Sequence, residues 1–280
     1  MTCTWNAEDY ARSSAGQQKW ARELIAKLHL QGDERLLDIG CGDGKVTAEI
    51  ASNLPRGSVL GVDSSPEMIS LAGTLYPSTE YANMRFLLAD ASALNFDNEF
   101  DVVFSNATLH WVLDHRPVLK GIARSLKPNG KVLLQMGGRG NAARVVEIMN
   151  EVCAKPEWRK GFVGFQFPYG FYDADEYRVW LMEACLVPVR VELIPKDMVH
   201  ADRNAFEGWL RTTWLPYIQR IAEHRRQEFV RQLVDSYLTA NPPSSDGSVH
   251  LQMLRLEVES KKEQMSAPSF REVENGQFAR

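Results

Sequence analysis

The chain of 280 residues contains four cysteines, Cys3, Cys41, Cys153 and Cys185, scattered without a CxxC pair. Such spacing excludes a disulfide framework and a cysteine-built zinc site, and predicts a reducing compartment. No stretch approaches the roughly 18 uncharged apolar residues of a membrane span. The opening Met1-Thr2-Cys3-Thr4-Trp5-Asn6 lacks a basic region followed by an apolar core, so no secretory signal is expected. Positive charge is not in excess: 32 lysines and arginines against 36 aspartates and glutamates give a net charge of −4. That balance offers no field for holding a nucleic acid. His29, His115, His200, His224 and His250 have no partners at metal-ligand spacing, and no metal site is expected. What is present is 44% hydrophobic and 24% charged residues, enough for a sizeable core in one elaborated domain or two small ones. A cytoplasmic protein is the expectation.

Local patterns alternate between two periods. Trp20, Leu24 and Leu28 recur every four residues and predict a helix over residues 8–30. Short apolar runs at 35–39, 58–63, 84–88, 100–105 and 131–136 read as strands. Helices are predicted between them at 45–54, 65–75 and 117–126, and the turn Lys127-Pro128-Asn129-Gly130 precedes the fifth strand. Strands apolar on both faces and alternating with helices imply a parallel sheet covered on both sides, a doubly wound α/β fold. Beyond Gly140 the pattern predicts a helix at 141–154 with Asn141 as its N-cap. An aromatic loop at 158–172, a helix at 173–185 and a strand at 187–194 follow. Helices at 204–214 and 217–239 and a last strand at 248–257 complete the reading. From Lys261 the chain is polar and is expected to be disordered. The organisation expected is a lid helix (1–30), a cofactor-binding core (31–140), core completion with an inserted helical, aromatic-rich cap (141–245), the last strand (246–260) and a tail (261–280).

The sharpest motif is Asp38-Ile39-Gly40-Cys41-Gly42-Asp43-Gly44, where the first strand ends. Ligands of open α/β sheets sit beyond the carboxyl ends of the strands, and glycines at alternate positions let a backbone approach closely. The dinucleotide fingerprint GxGxxG does not fit, because its third glycine falls on Lys45. Asp38 and Asp43 also place carboxylates where a pyrophosphate would be repelled. An acidic glycine loop suits a phosphate-free, cationic nucleoside, and S-adenosylmethionine is such a ligand. Asp63 ends the second strand, where it could accept both ribose hydroxyls. Asp90 ends the third, within reach of an adenine amino group.

With these residues the chain resembles the class I S-adenosylmethionine-dependent methyltransferases over residues 10–140. The resemblance implies a seven-stranded sheet with its last strand antiparallel and cofactor contacts from Asp38, Gly40, Cys41, Gly42, Asp63, Ser64, Asp90 and Ala91. The run Phe104-Ser105-Asn106-Ala107-Thr108-Leu109-His110-Trp111-Val112 is similar to the trans-aconitate methyltransferase group and its juvenile hormone acid relatives, which methylate carboxylates. By that likeness Asn106 meets the cofactor, Tyr10, Gln17 and Trp20 are lid contacts, and His110 and Trp111 line the site. Nucleic-acid amine methyltransferases usually carry Asn/Asp-Pro-Pro-aromatic at this point, which is not found here.

A carboxylate is ionised at neutral pH and needs no general base, whereas an alcohol or amine does. His110 is the candidate base or substrate hydrogen-bonding partner. Residues 158–217 hold 13 of the chain's 27 tryptophans, tyrosines and phenylalanines, and are expected to cap the strand ends. Tyr169 and Trp214 are candidate substrate contacts, and Arg139 and Arg211 candidate anchors for an acid. The leading expectation is O-methylation of a carboxylate on a small organic acid or apolar metabolite. O-, N- or C-methylation of an aromatic or apolar secondary metabolite is the alternative. A nicotinamide-dependent oxidoreductase and a non-catalytic scaffold are more distant ones. The oligomeric state is left open.

Overall fold

The computed structural model describes residues 15–263. Seven strands form one sheet in the order β3-β2-β1-β4-β5-β7-β6. They are β1 (Arg35–Ile39), β2 (Ser58–Asp63), β3 (Met84–Leu88), β4 (Phe100–Asn106), β5 (Leu126–Gly137), β6 (Leu186–His200) and β7 (Val249–Lys262). The first five are mutually parallel, and β7 runs antiparallel to both β5 and β6. This is the doubly wound α/β sheet with a reversed last strand that the sequence predicts.

Alternation along each strand divides the core into two layers. On β1, Leu36 packs with Val102, Phe104 and Leu133 against α1 (Ala15–Ala26) and α2 (Lys45–Ser52). Leu37 and Ile39 face the other way, with Val103, Leu134 and Met136, onto α4 (His115–Ser125) and α6 (Ala174–Glu183). Between α2 and α4 lies α3 (Pro66–Leu75), begun by the Ser65 hydroxyl accepting from Met68 N and by Pro66 in its first turn.

A third apolar cluster lies beyond the carboxyl edge of the sheet. Pairing of β5 with β7 ends at Gly137 and Arg255, but β6 and β7 stay paired out to His200 and Val249. This projecting ribbon carries Met198, Val249, Leu251 and Met253 into a core built with α5 (Ala143–Cys153), α7 (Arg203–Thr213), α8 (Leu215–Ile218) and α9 (Arg226–Ala240). Trp20 of α1 joins that cluster, while Leu24, Ile25 and Leu28 pack on the sheet. One helix therefore spans sheet and cap.

Several boundaries differ from the sequence reading for identifiable reasons. The expected strand 187–194 runs through Pro195 to His200, because β6 is an edge strand on which proline sacrifices no ladder bond. The expected helix 217–239 is two helices, with Pro216 starting the short α8 and a 3-10 turn at Glu223–Arg225 before α9. Asn141 is not the N-cap of α5; its Oδ1 accepts from Leu254 N at 3.2 Å, and Ala142 holds the cap position at φ 50°. The helix carrying Tyr177 and Leu181 belongs to the sheet core rather than to the cap. Lys261 and Lys262, expected in the tail, pair within β7; the rest of that segment from residue 264 lies outside the described residues.

Candidate active site

Three strand ends and the glycine loop build a crevice. Gly40 and Cys41 donate their backbone N–H groups to Val62 O, turning the chain sharply out of β1. Gly40 has φ 77°, and a Cβ there would lie 2.0 Å from Thr108 Cγ2. The turn and the close approach both require glycine. Asp63 clamps the loop from β2: Oδ2 accepts from Gly42 N at 3.0 Å and Oδ1 from Ser65 N at 2.9 Å. Asp90 caps the 3-10 turn Ala91–Ala93, accepting from Ser92 N at 2.7 Å.

The resulting crevice, about 260 Å³, is lined by Gly40, Asp63, Ser64, Asp90, Ala91, Thr108 and Trp111 among others. Among the described residues its lining contains two carboxylates and no lysine, arginine or histidine. Asp38 lies beneath the loop, 2% exposed, where Thr47 Oγ1 donates to it at 2.6 Å. Burial, reinforced by the nearby Asp63 charge, raises its pKa to about 7 despite the Thr47 bond. Burial likewise raises Asp63, opposed by the backbone donors. Asp43 is turned to Lys45, 3.0 Å away. This donor set fits a cationic nucleoside without phosphates. Phosphate oxygens against two carboxylates with no cation would be repelled.

A second, narrower cavity of about 40 Å³, open like the first, is bounded by the same segment after β4. It is lined by Trp20, His110, Tyr169, Phe171, Trp209, Trp214 and Arg255, with Met198, Met253, Asn141, Ala107 and Thr213 completing the wall. Tyr169 and Phe171 stack at 5.5 Å, Trp214 meets Tyr169 edge-on at 5.2 Å, and the Tyr169 hydroxyl donates to Thr213 O. The segment after β4 divides the two spaces. Ala107 and His110 line the second cavity, while Thr108, Trp111 and Val112 line the crevice. That division depends on Ala107 at φ 57°, a left-handed conformation costing about 1–2 kcal/mol for a residue with a Cβ.

His110 is held in this partition with its Nδ1 accepting from Gly137 N at 3.4 Å. Its proton therefore sits on Nε2. Burial first, then the positive charge of Arg255 and the neighbouring His115, push its pKa well below the ordinary histidine value. Burial thus favours the neutral imidazole, whose Nε2–H is the donor that it can offer.

Of the residues expected at the cofactor, Gly40, Asp63, Ser64, Asp90 and Ala91 line the crevice. Asp38, Cys41 and Gly42 support it from within the loop. Cys41 is a buried thiol whose pKa burial raises, so it is no nucleophile. Asn106 Oδ1 is buried without a hydrogen-bond partner among the described residues. Trp20 lines the second cavity instead of the crevice. Tyr10 and the side chain of Gln17 lie outside the described residues. Of the expected substrate contacts, His110, Tyr169 and Trp214 line the cavity, and Trp111 lines the crevice with its ring against those of His110 and Tyr169. Arg139 and Arg211 line neither space. Arg139 is exposed and bound to Glu176 (3.0 Å) and Asp173 (3.6 Å), and Arg211 is exposed on α7.

Among the described residues the cation that does line the cavity is Arg255, 4% exposed on β7. Its signal was in the alternation: Val249, Leu251, Met253 and Arg255 occupy every second position, a charge continuing an apolar row. Ser248, His250 and Asp197 on the ribbon's outer side have the order of nucleophile, base and acid. Ser248 Oγ, however, donates to Asp246 Oδ1 at 2.7 Å, so its proton is not offered to His250. Among the described residues no helix is long and apolar enough to cross a membrane, and no cluster of three or more potential ligands could hold a metal.

A family defined as a methyltransferase domain matches residues 37–134, from β1 into β5. An uncharacterized methyltransferase of Schizosaccharomyces pombe is 32% identical over 263 residues, 92% of this chain and 98% of the relative. The chain belongs to the S-adenosylmethionine-dependent methyltransferases, and its sheet order and acidic glycine loop are those of class I. More particularly, it is 28% identical over 256 residues to a trans-aconitate 2-methyltransferase of Methylobacterium nodulans, covering 90% of this chain and 96% of that one. Phosphoethanolamine N-methyltransferase 2 of Haemonchus contortus, solved with S-adenosylhomocysteine and phosphomonomethylethanolamine, superposes with a TM-score of 0.58 at 18% identity. It covers 92% of this chain and 57% of that one, a likeness of fold.

Proposed function

We propose that this enzyme methylates a carboxylate oxygen of a small organic acid seated in the aromatic cavity. The observation that carries this reading is the placing of Arg255 and the neutral His110 in one cavity lining, across the segment after β4 from the cofactor crevice. Methylation of an acid by one of its relatives, named as a trans-aconitate 2-methyltransferase, agrees with it.

In this reading Asp63 accepts the ribose hydroxyls with lone pairs its backbone donors leave over. Asp90, Ala91 and Ser64 border the adenine. The buried Asn106 Oδ1 and the anionic Asp38 offset the methionine ammonium. When bound, S-adenosylmethionine would supply an electrophilic methyl group on its sulfonium, and a carboxylate acceptor, already ionised, would require no proton to be taken by the chain. The chain's own residues align and desolvate. Arg255 and the Nε2–H of His110 orient the carboxylate, and the aromatic wall excludes water that would compete for it. A phenol or an amine would have to lose a proton, and a histidine already protonated at Nε2 and occupied at Nδ1 cannot take it.

Transfer of labelled methyl to a panel of carboxylic acids, phenols and amines of similar size tests the reading. Methyl esters are the expected products. Ethers or methylamines formed without any ester would refute it.

A further inference from the structure

Resting on the carboxylate reading, we infer that Arg255 anchors a single carboxylate and that the acceptor is a monocarboxylic acid with an apolar body, not a polyacid. The acceptor cavity supplies one guanidinium, one neutral imidazole donor and only uncharged polar groups besides, those of Asn141, Thr213 and the Trp214 indole; its remaining walls are mostly aromatic rings, with two methionines. Among the described residues Arg255 is the sole lysine or arginine of that lining. Arg139 and Arg211, the cations that could have met a second and a third carboxylate, lie elsewhere. A carboxylate pressed against indole and phenyl faces loses its water without gaining a countercharge, a cost that outweighs any packing its carbon skeleton brings. An apolar body gains there instead.

The same arrangement sets the direction of product release. Arg255 is 4% exposed, so its attraction for a carboxylate is little screened by solvent. Methyl transfer converts that carboxylate into a neutral ester, and the ion pair that held the substrate ceases to exist. Guanidinium can fork onto both oxygens of a free acid, whereas an ester offers a carbonyl oxygen alone. The anchor thus distinguishes substrate from product by charge, and a polyacid would lose this distinction by keeping its other carboxylates.

The test uses the full-length enzyme with 3-phenylpropanoate, octanoate, trans-aconitate, 4-propylphenol and methyl 3-phenylpropanoate as probes. Labelled methyl transfer is expected to give kcat/KM for either monoacid at least about tenfold above that for trans-aconitate. Calorimetry with S-adenosylhomocysteine present is expected to give 3-phenylpropanoate at least about tenfold tighter binding than its methyl ester. Arg255→Met should lower monoacid kcat/KM by about a hundredfold, with Arg255→Lys recovering part of the loss and cofactor Kd staying within about threefold of wild type in both. Trans-aconitate turned over as well as the monoacids overturns this inference while leaving carboxylate methylation standing. Methylation of 4-propylphenol with no acid accepted overturns the underlying reading. The wild-type comparisons remain decisive even if Arg255→Met fails to fold.

Discussion

The guanidinium carbon of Arg255 lies 5.7 Å from the centre of the Trp20 ring, so a helix before the first strand meets the last strand across the acceptor cavity. Trp20 is 7% exposed and packs with the cap, and ion pairs secure its helix: Arg22 to Glu49, Glu23 to Lys196 and, just past its end, Lys27 to the buried Glu257. Replacing Trp20 therefore removes both a wall and a lid. Trp20→Ala should destabilise the protein by about 3–5 kcal/mol, the usual cost of truncating a buried tryptophan. Trp20→Phe should keep the fold while raising KM for acids several-fold. Cofactor Kd should stay within about threefold, since Trp20 does not line the crevice. Thermal unfolding, acid kinetics and cofactor calorimetry check the three statements; a selective loss of cofactor affinity in Trp20→Phe would return this residue to the cofactor.

Asp63 has two tasks, holding the glycine loop and facing the crevice. Hydrogen bonds to a charged group are worth about 1.5–3 kcal/mol each. Asp63→Ala should accordingly raise the cofactor Kd at least about tenfold. Unchanged affinity by calorimetry would remove the second-strand acid from the ribose.

Cofactor affinity should depend on pH through Asp38. Burial raises its pKa to about 7, so it is largely neutral in acid and ionised above that value. A cationic ligand favours the ionised form, lowers the pKa and expels a proton. Affinity should rise from pH 5.5 to 8, with proton release visible as a buffer-dependent binding enthalpy around pH 6–7. In the free protein the sign is opposite. The native state keeps a proton the unfolded chain has already lost, so this group's contribution to stability falls as pH climbs from about 4 to about 7. Asp38→Asn should flatten both profiles.

His110 gives a contrasting expectation. Its pKa lies well below the usual value because of burial and Arg255, so kcat for an acid should show no imidazole inflection between about pH 6 and 9. His110→Phe should reduce kcat/KM for acids about tenfold by removing the Nε2 donor. A rate rising with an apparent pKa near 6.5 in the wild type, and losing that dependence in His110→Phe, would instead identify a base.

Arg139→Ala should leave acid turnover and cofactor affinity unaltered. Its partners are Glu176 and Asp173 on the outside of the molecule, and exposed pairs of this kind contribute about 0–1 kcal/mol. A rise in KM for acids would place this arginine at the acceptor after all.

Much of the core was legible in the order of residues because its causes are local. Five short apolar runs, the GxGxG turn and acids at successive strand ends each follow from side-chain period and backbone sterics within a few positions. The start and end of β1, β2 and β3 match those runs. The charge character of the crevice was equally readable, since Asp63 and Asp90 end adjacent strands of a parallel sheet.

The acceptor side was decided only in three dimensions. Arg139, just past β5, and Arg211, on α7, turn outward, whereas Arg255, paired with Gly137 at the last rung of the β5–β7 ladder, meets Trp20 across the cavity. Which side of the partition His110 and Trp111 occupy follows from the left-handed turn at Ala107. Strand and helix periods specify which residues share a face. They do not specify how far a ribbon projects or which distant segment closes over it, because long-range packing sets those distances.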